Sequence, residues 1–187
     1  MDETYIQRVI SGDINSFRYF VEKYKDLSYS VARSIIKSDF EAEEAVQDAF
    51  VNAFRNLHKF EKKSKFSTWL YKIVVNESLK RIKKKSLHYV DADASYVDQH
   101  QESLEISPID SLHEEEQKEI INRVLDLLPS TESLLLRLYY LEENKMDEIK
   151  IITGLSVSNI KIILFRARKH FATGLEKSLK NELNSIL

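Results

Sequence analysis

Only three glycines (Gly12, Gly154, Gly174) and two prolines (Pro108, Pro129) punctuate 187 residues. Turn-rich β folds draw on residues that accept positive φ or lock φ, and a β sandwich or barrel of this length needs many more of them. The shortage predicts an all-α chain with few breaks. Apolar residues make up 43% of the sequence, so such helices have a core to build. The length suits one large domain or two small ones.

Apolar spacing places the helices. A short one is predicted from about Glu3 to Ile10, stopping near Gly12. Asp13 can cap the next, in which Phe17, Phe20, Val21, Tyr24, Leu27, Val31 and Ile35 recur at steps of three and four. A third runs from about Ala42 to Leu57, with Ala45, Val46, Ala49, Ala53 and Phe54 inward. After His113 a helix ends at Leu127-Leu128-Pro129, and Ser130 or Thr131 can cap one over Glu132 to Leu141. Next come about Met146 to Thr153, a turn at Gly154, and a long helix from Val157 capped by Ser156.

Charge divides the chain. Bases dominate from Arg55 to Lys85, and from Asp91 to Glu119 ten acids face Lys118 alone. Between them residues 88–112 hold Pro108 and no sustained periodicity, which predicts a flexible acidic linker between domains at 1–87 and 113–187. The absence of cysteine excludes disulfides and thiolate-bound zinc, and suits a cytoplasmic protein. The acidic start MDETYIQRVISGD is unlike a signal peptide, and no apolar run reaches membrane-span length. His58, His88, His100, His113 and His170 lack ligand spacing, so neither a metal nor another cofactor is expected.

The stretch FSTWLYKIVVNESLKRIKKK, residues 66–85, concentrates the functional signal. On a helix, Leu70, Tyr71, Val74, Val75, Ser78, Leu79 and Ile82 share one broad face. Lys72, Asn76, Lys80 and Lys83 form a stripe on the other, and Trp69 falls on that stripe. Lysines supply phosphate contact, an aromatic face can stack on an unpaired base, and an amide can read a base edge. A solvated basic helix end with Trp69 as a packing anchor accounts for the same residues.

The segment MDEIKIITGLSVSNIKIILFRARKHF has helix-turn-helix spacing. Ile160, Ile163, Leu164, Ala167 and Phe171 make an inward face. Ser156, Ser158, Asn159, Lys161, Arg166, Arg168 and Lys169 lie at the start of the second helix or on its other sides. In this motif the second helix enters the major groove of DNA. A plain helical hairpin is the other reading.

Two motifs together carry a family resemblance. EAEEAVQDAFVNAFRNLHKF with the basic helix resembles region 2 of extracytoplasmic-function (ECF) sigma factors of the sigma-70 family. LPSTESLLLRLYYLEENKMDEIKIITGLSVSNIKIILFRARKHF resembles their region 4. The resemblance implies a non-catalytic factor that binds core RNA polymerase and directs it to promoters. It implies that region 2 melts the −10 element, capturing an unpaired base in a loop at about His58 to Thr68. The implied −10 contacts are Lys62, Lys63, Ser64, Lys65, Phe66, Trp69, Lys72, Asn76, Lys80 and Lys83. Region 4 would read the −35 element through Ser156, Ser158, Asn159, Lys161, Arg166, Arg168 and Lys169. Glu41, Glu44, Gln47 and Asp48 match the surface that docks on the polymerase. An anti-sigma factor is the further partner implied.

Three departures from the family pattern stand out. Lys150 takes the place of a small alanine expected to face the recognition helix. Ile162 and Phe165 project from that helix where polar residues are usual, which suits contact with thymine methyls, packing on another domain, or burial under an anti-sigma partner. The loop EENK lacks the usual glycine. A free-standing helix-turn-helix regulator, and an interaction module with degenerate DNA surfaces, are the alternatives.

Overall fold

The computed structural model describes the backbone of residues 1–85 and 114–186 and the side chains of 1–83 and 117–180. The expected linker at 88–112, with His88, His100 and His113, lies outside these residues. All regular structure among the described residues is helical, in two units.

In the N-terminal unit, α1 (Asp2–Ile10) is fastened to α2 (Arg18–Ile35) by its first residue. Asp2 accepts hydrogen bonds from Tyr19 (2.7 Å), Lys23 (2.6 Å) and Tyr24 (2.5 Å). Partial burial works against ionising Asp2, but these donors outweigh it and hold the carboxyl below its ordinary range. Tyr5 stacks on Tyr19 with ring centroids 3.9 Å apart. Asp13 caps a short 3₁₀ turn, Ile14–Phe17, by accepting from the Ser16 amide and hydroxyl. α3 (Asp39–Asn56) starts earlier than its apolar spacing implies, because Asp39 and Glu41 suit the positive end of the helix dipole. Its buried alanines, Ala42, Ala45, Ala49 and Ala53, let neighbouring helices approach closely. α4 (Phe66–Lys85) packs on α2 and α3.

The C-terminal unit comprises α5 (Glu114–Leu127), α6 (Ser130–Leu136) prolonged by a π turn over Arg137–Leu141, α7 (Met146–Thr153) and α8 (Val157–Ile186). Neither Ser130 nor Thr131 caps α6. Pro129 holds the cap position, and its carbonyl accepts the Ser133 amide at 2.9 Å. In the EENK loop, Glu143 takes the left-handed conformation at φ 50°. Gly174 lets α8 lie against α5, since a Cβ there would stand 2.9 Å from Val124 Cγ1.

The two units share one continuous core, with α2 packed on α6 and α4 on α7. At this seam the Tyr71 hydroxyl donates to Glu142 at 2.8 Å. Burial pushes the Glu142 carboxyl up, only partly opposed by that hydrogen bond. A carboxyl raised on folding favours the folded state at low pH and loses that contribution as pH rises through its folded pKa. Glu142→Gln keeps an acceptor for Tyr71 without the charge. It should therefore raise stability at pH 7 by about 0.5–1 kcal/mol. Urea unfolding at pH 7 and at pH 3.5 checks this, because the gain must vanish at the lower pH.

Candidate nucleic-acid interface

α4 buries Leu70, Tyr71, Val74 and Val75 and turns Lys72, Asn76, Lys80 and Lys83 outward, so the predicted stripe exists as one exposed row. Lys80 is partly neutralised, because Glu77 accepts from it at 2.7 Å and from Asn52 at 2.8 Å. The far end of the apolar face leaves the core: Leu79 and Ile82 are exposed.

The loop before α4 turns at Lys62, which has φ 57°. A left-handed non-glycine residue costs on the order of 1–2 kcal/mol, a strain typical of loops shaped for a task. Between this loop, α1 and α2 lies an open cleft of about 680 Å³, lined by the acids Asp2 and Glu3 as well as by Lys23, Lys62, Ser64 and Lys65, with half-buried Phe60 and the buried Tyr24 and Phe66 among its lining. Three lysines of this loop have an acid beside them. Lys62 pairs with Glu3 of α1 at 2.5 Å, Lys63 with Glu61, and Lys65 with Glu148 of α7 at 2.9 Å.

Two aromatic assignments are decided by packing. Phe66 is not a surface contact, being only 3% exposed. Its ring lies 4.2 Å from that of Phe20 and also meets Tyr24, Phe60 and Trp69. As the first residue of α4 it anchors the loop to the core. Trp69 is half-buried, with Phe60 at 5.3 Å and Phe66 at 5.7 Å. It braces the base of the loop and still shows part of its ring.

On α3, Gln47 is exposed and Glu41 half-buried. Glu44 and Asp48 are both engaged within the chain: Arg81 of α4 donates to Glu44 at 2.6 Å and to Asp48 at 2.5 Å. Arg81 was missing from the sequence-derived site because nothing in its local spacing ties it to acids one helix away.

In the helix-turn-helix, Gly154 takes φ 76° and closes α7. The Ser156 hydroxyl accepts the Asn159 amide at 3.2 Å, so Ser156 caps α8 as predicted. Ser158, Asn159, Lys161, Arg168 and Lys169 are exposed. Arg166 is half-buried with its Nε unbonded, and Arg168 donates back to the Leu164 carbonyl at 3.2 Å. The expected placement of Lys150 is overturned. It is exposed, and Ile149 takes the buried position beside α8. The helical register puts Lys150 one residue past the inward side. Ile162 is exposed, whereas Phe165 is half-buried with the Lys169 ammonium 5.4 Å from its ring centre. His170 pairs with Glu132 at 2.7 Å.

Residues 20–87 match the model of sigma-70 region 2, and residues 118–171 that of sigma-70 region 4. The ECF RNA polymerase sigma factor SigW of Bacillus subtilis is 31% identical, over 94% of this chain and 95% of its own. The ECF RNA polymerase sigma-E factor of Escherichia coli is 29% identical, over 90% and 91% respectively. Two solved structures share the fold. CnrH in complex with the cytosolic domain of CnrY has a TM-score of 0.63 and 20% identity, covering 94% of this chain and 97% of that one. The sigma factor RpoE of Bartonella quintana, in complex with the anti-sigma factor NepR, has a TM-score of 0.60 and 19% identity, covering 85% and 98%. Two regional matches in the right order, and a relative this similar along nearly its whole length, lead to one conclusion: the chain belongs to the ECF RNA polymerase sigma factors of the sigma-70 family.

Proposed function

We propose that this chain binds core RNA polymerase and places residues 1–87 on the −10 element and residues 113–187 on the −35 element, with 88–112 between them. The observation that carries the reading is the exposed row of Lys72, Asn76, Lys80 and Lys83 on α4. The row suits a backbone of phosphates, and half-buried Phe60 and Trp69 leave ring surface on which an unpaired base can stack. Phosphate contact positions the protein, while contact with base edges supplies selectivity. The exposed start of α8 suits the major groove of duplex DNA. Polymerase docking falls to α3, with Gln47 outward and Glu44 and Asp48 set in place by Arg81. Its site of action would be the cytoplasm; among the described residues no helix is long and apolar enough to cross a membrane. An anti-sigma factor is a proposed partner, supported by the complex of the RpoE relative, and exposed Ile162 offers it an apolar contact.

The test is reconstitution with core polymerase on supercoiled promoter templates. Opened promoters support the reading, and failure to form holoenzyme ends it. Changing Lys72, Lys80 and Lys83 together to alanine should flatten the salt dependence of promoter binding by about three in the log–log slope. An unchanged slope would remove the row from the DNA path.

A further inference from the structure

The second helix of the helix-turn-helix carries an apolar crest. Its buried side is made by Ile160, Ile163, Leu164 and Ala167. At about 100° per residue, the side opposite them is the row Ser158, Ile162, Phe165 and Lys169. Ile162 is 46% exposed, and Phe165 is half-buried with the Lys169 ammonium over its ring. Among the described residues, neither Ile162 nor Phe165 belongs to the apolar core or packs against it. Folding therefore does not explain two apolar side chains at the centre of the outward row.

Polar and cationic residues set the flanks. Asn159 and Arg166 lie on one side of the row, Lys161 and Arg168 on the other. No Asp or Glu occurs from Val157 to Leu175. A helix surface charged with one sign suits a continuous polyanion better than the mixed charge of a protein surface. The walls of the major groove are phosphates, and the apolar groups on its floor are the C5-methyl groups of thymine. An apolar ridge between cationic flanks matches that cross-section. Ile162 and Phe165 are three residues apart, about 4.5 Å along the helix axis. Base pairs step by about 3.4 Å, so the two side chains would meet neighbouring pairs.

We propose that Ile162 and Phe165 determine specificity for the −35 element by packing on thymine methyl groups at two neighbouring base pairs. The inference rests on the proposed function, in which the start of α8 enters the major groove. It adds how that site selects its sequence. Apolar contact at the centre of the helix picks thymine, while Lys161 and Arg168 on one flank and Arg166 on the other hold phosphates. Burying one methyl group changes affinity by about fourfold.

The test uses the holoenzyme and a promoter selected by it. Each thymine of the −35 element, on either strand, is replaced in turn by deoxyuridine. This base keeps the pairing and the O4 acceptor and lacks only the methyl. Replacement at two neighbouring base pairs should weaken holoenzyme binding by about fourfold each, and replacement in the spacer should not. Ile162→Ala should abolish the loss at one of these pairs, and Phe165→Ala at the other. Both side chains stand outside the core, so both variants should melt with the wild type. Lys161→Ala should instead weaken binding to every template and leave the ratio of thymine to uracil affinity unchanged. An effect of the methyl on duplex shape would persist in both alanine variants, so loss of the sensitivity identifies direct contact.

The proposal is overturned if no −35 thymine is sensitive, or if either alanine variant keeps the sensitivity at both pairs. Promoter binding untouched by Ile162→Ala would also overturn it and leave the ridge to a protein partner. A wild-type holoenzyme that opens no promoter ends the sigma-factor reading and this inference with it. One that opens promoters without sensing the methyl ends this inference alone.

Discussion

Arg137→Ala should lower the stability of the chain by about 3 kcal/mol, at the lower end of what breaking a buried ion pair costs. Arg137 is only 3% exposed, and its guanidinium donates to Asp126 and Asn122, both at 2.9 Å, and to Ser30 at 2.6 Å. Burial pulls its pKa down and Asp126 opposes that pull, so the pair keeps the charge in place. Asp126 retains Arg33 after the substitution, which limits the loss. Arg137→Met restores the volume without the donors and should recover less than half of it. Urea denaturation measures both; a cost below about 1 kcal/mol for Arg137→Ala would mean that the network contributes little.

Phe66→Ala should cost about 3–4 kcal/mol, because it empties an aromatic site with four ring neighbours. It should also loosen the loop that Phe66 anchors, so promoter opening falls together with stability. The triple change at Lys72, Lys80 and Lys83 makes the opposite prediction: melting temperature stays within a few degrees while promoter binding fails. Trp69→Ala should fall between, losing some stability and impairing opening more than initial binding. Thermal melts with permanganate footprinting of opened promoters separate the three. If Phe66→Ala leaves stability intact but abolishes opening, the loop anchor is wrong and Phe66 belongs to the DNA surface.

Helix positions were legible because each rests on local physics. Apolar steps of three and four define the inward faces of α2, α3 and α8, Gly154 is the residue that accepts φ 76°, and Ser156 is placed to cap the recognition helix. The lysine row was legible for the same reason, since helical projection alone separates it from Leu70 and Val74. Loop aromatics resisted such reading. Phe60, Phe66 and Trp69 lie close together in the chain, and local spacing cannot say which ring a distant Phe20 will draw inward. The role of Glu44 and Asp48 likewise depended on Arg81, and that of Lys150 on the register of α7 against α8.

An all-α chain, its main breaks, the exposed basic row and a capped helix-turn-helix all follow from interactions within a few residues, and the order of amino acids suffices to specify them. Three outcomes needed the assembled fold: Phe66 is core and Trp69 a brace, Arg81 holds the acids of α3, and α7 closes on α4. Each of them rests on contacts between side chains that folding brings together from separate elements, and the energies of such contacts have no counterpart in local spacing.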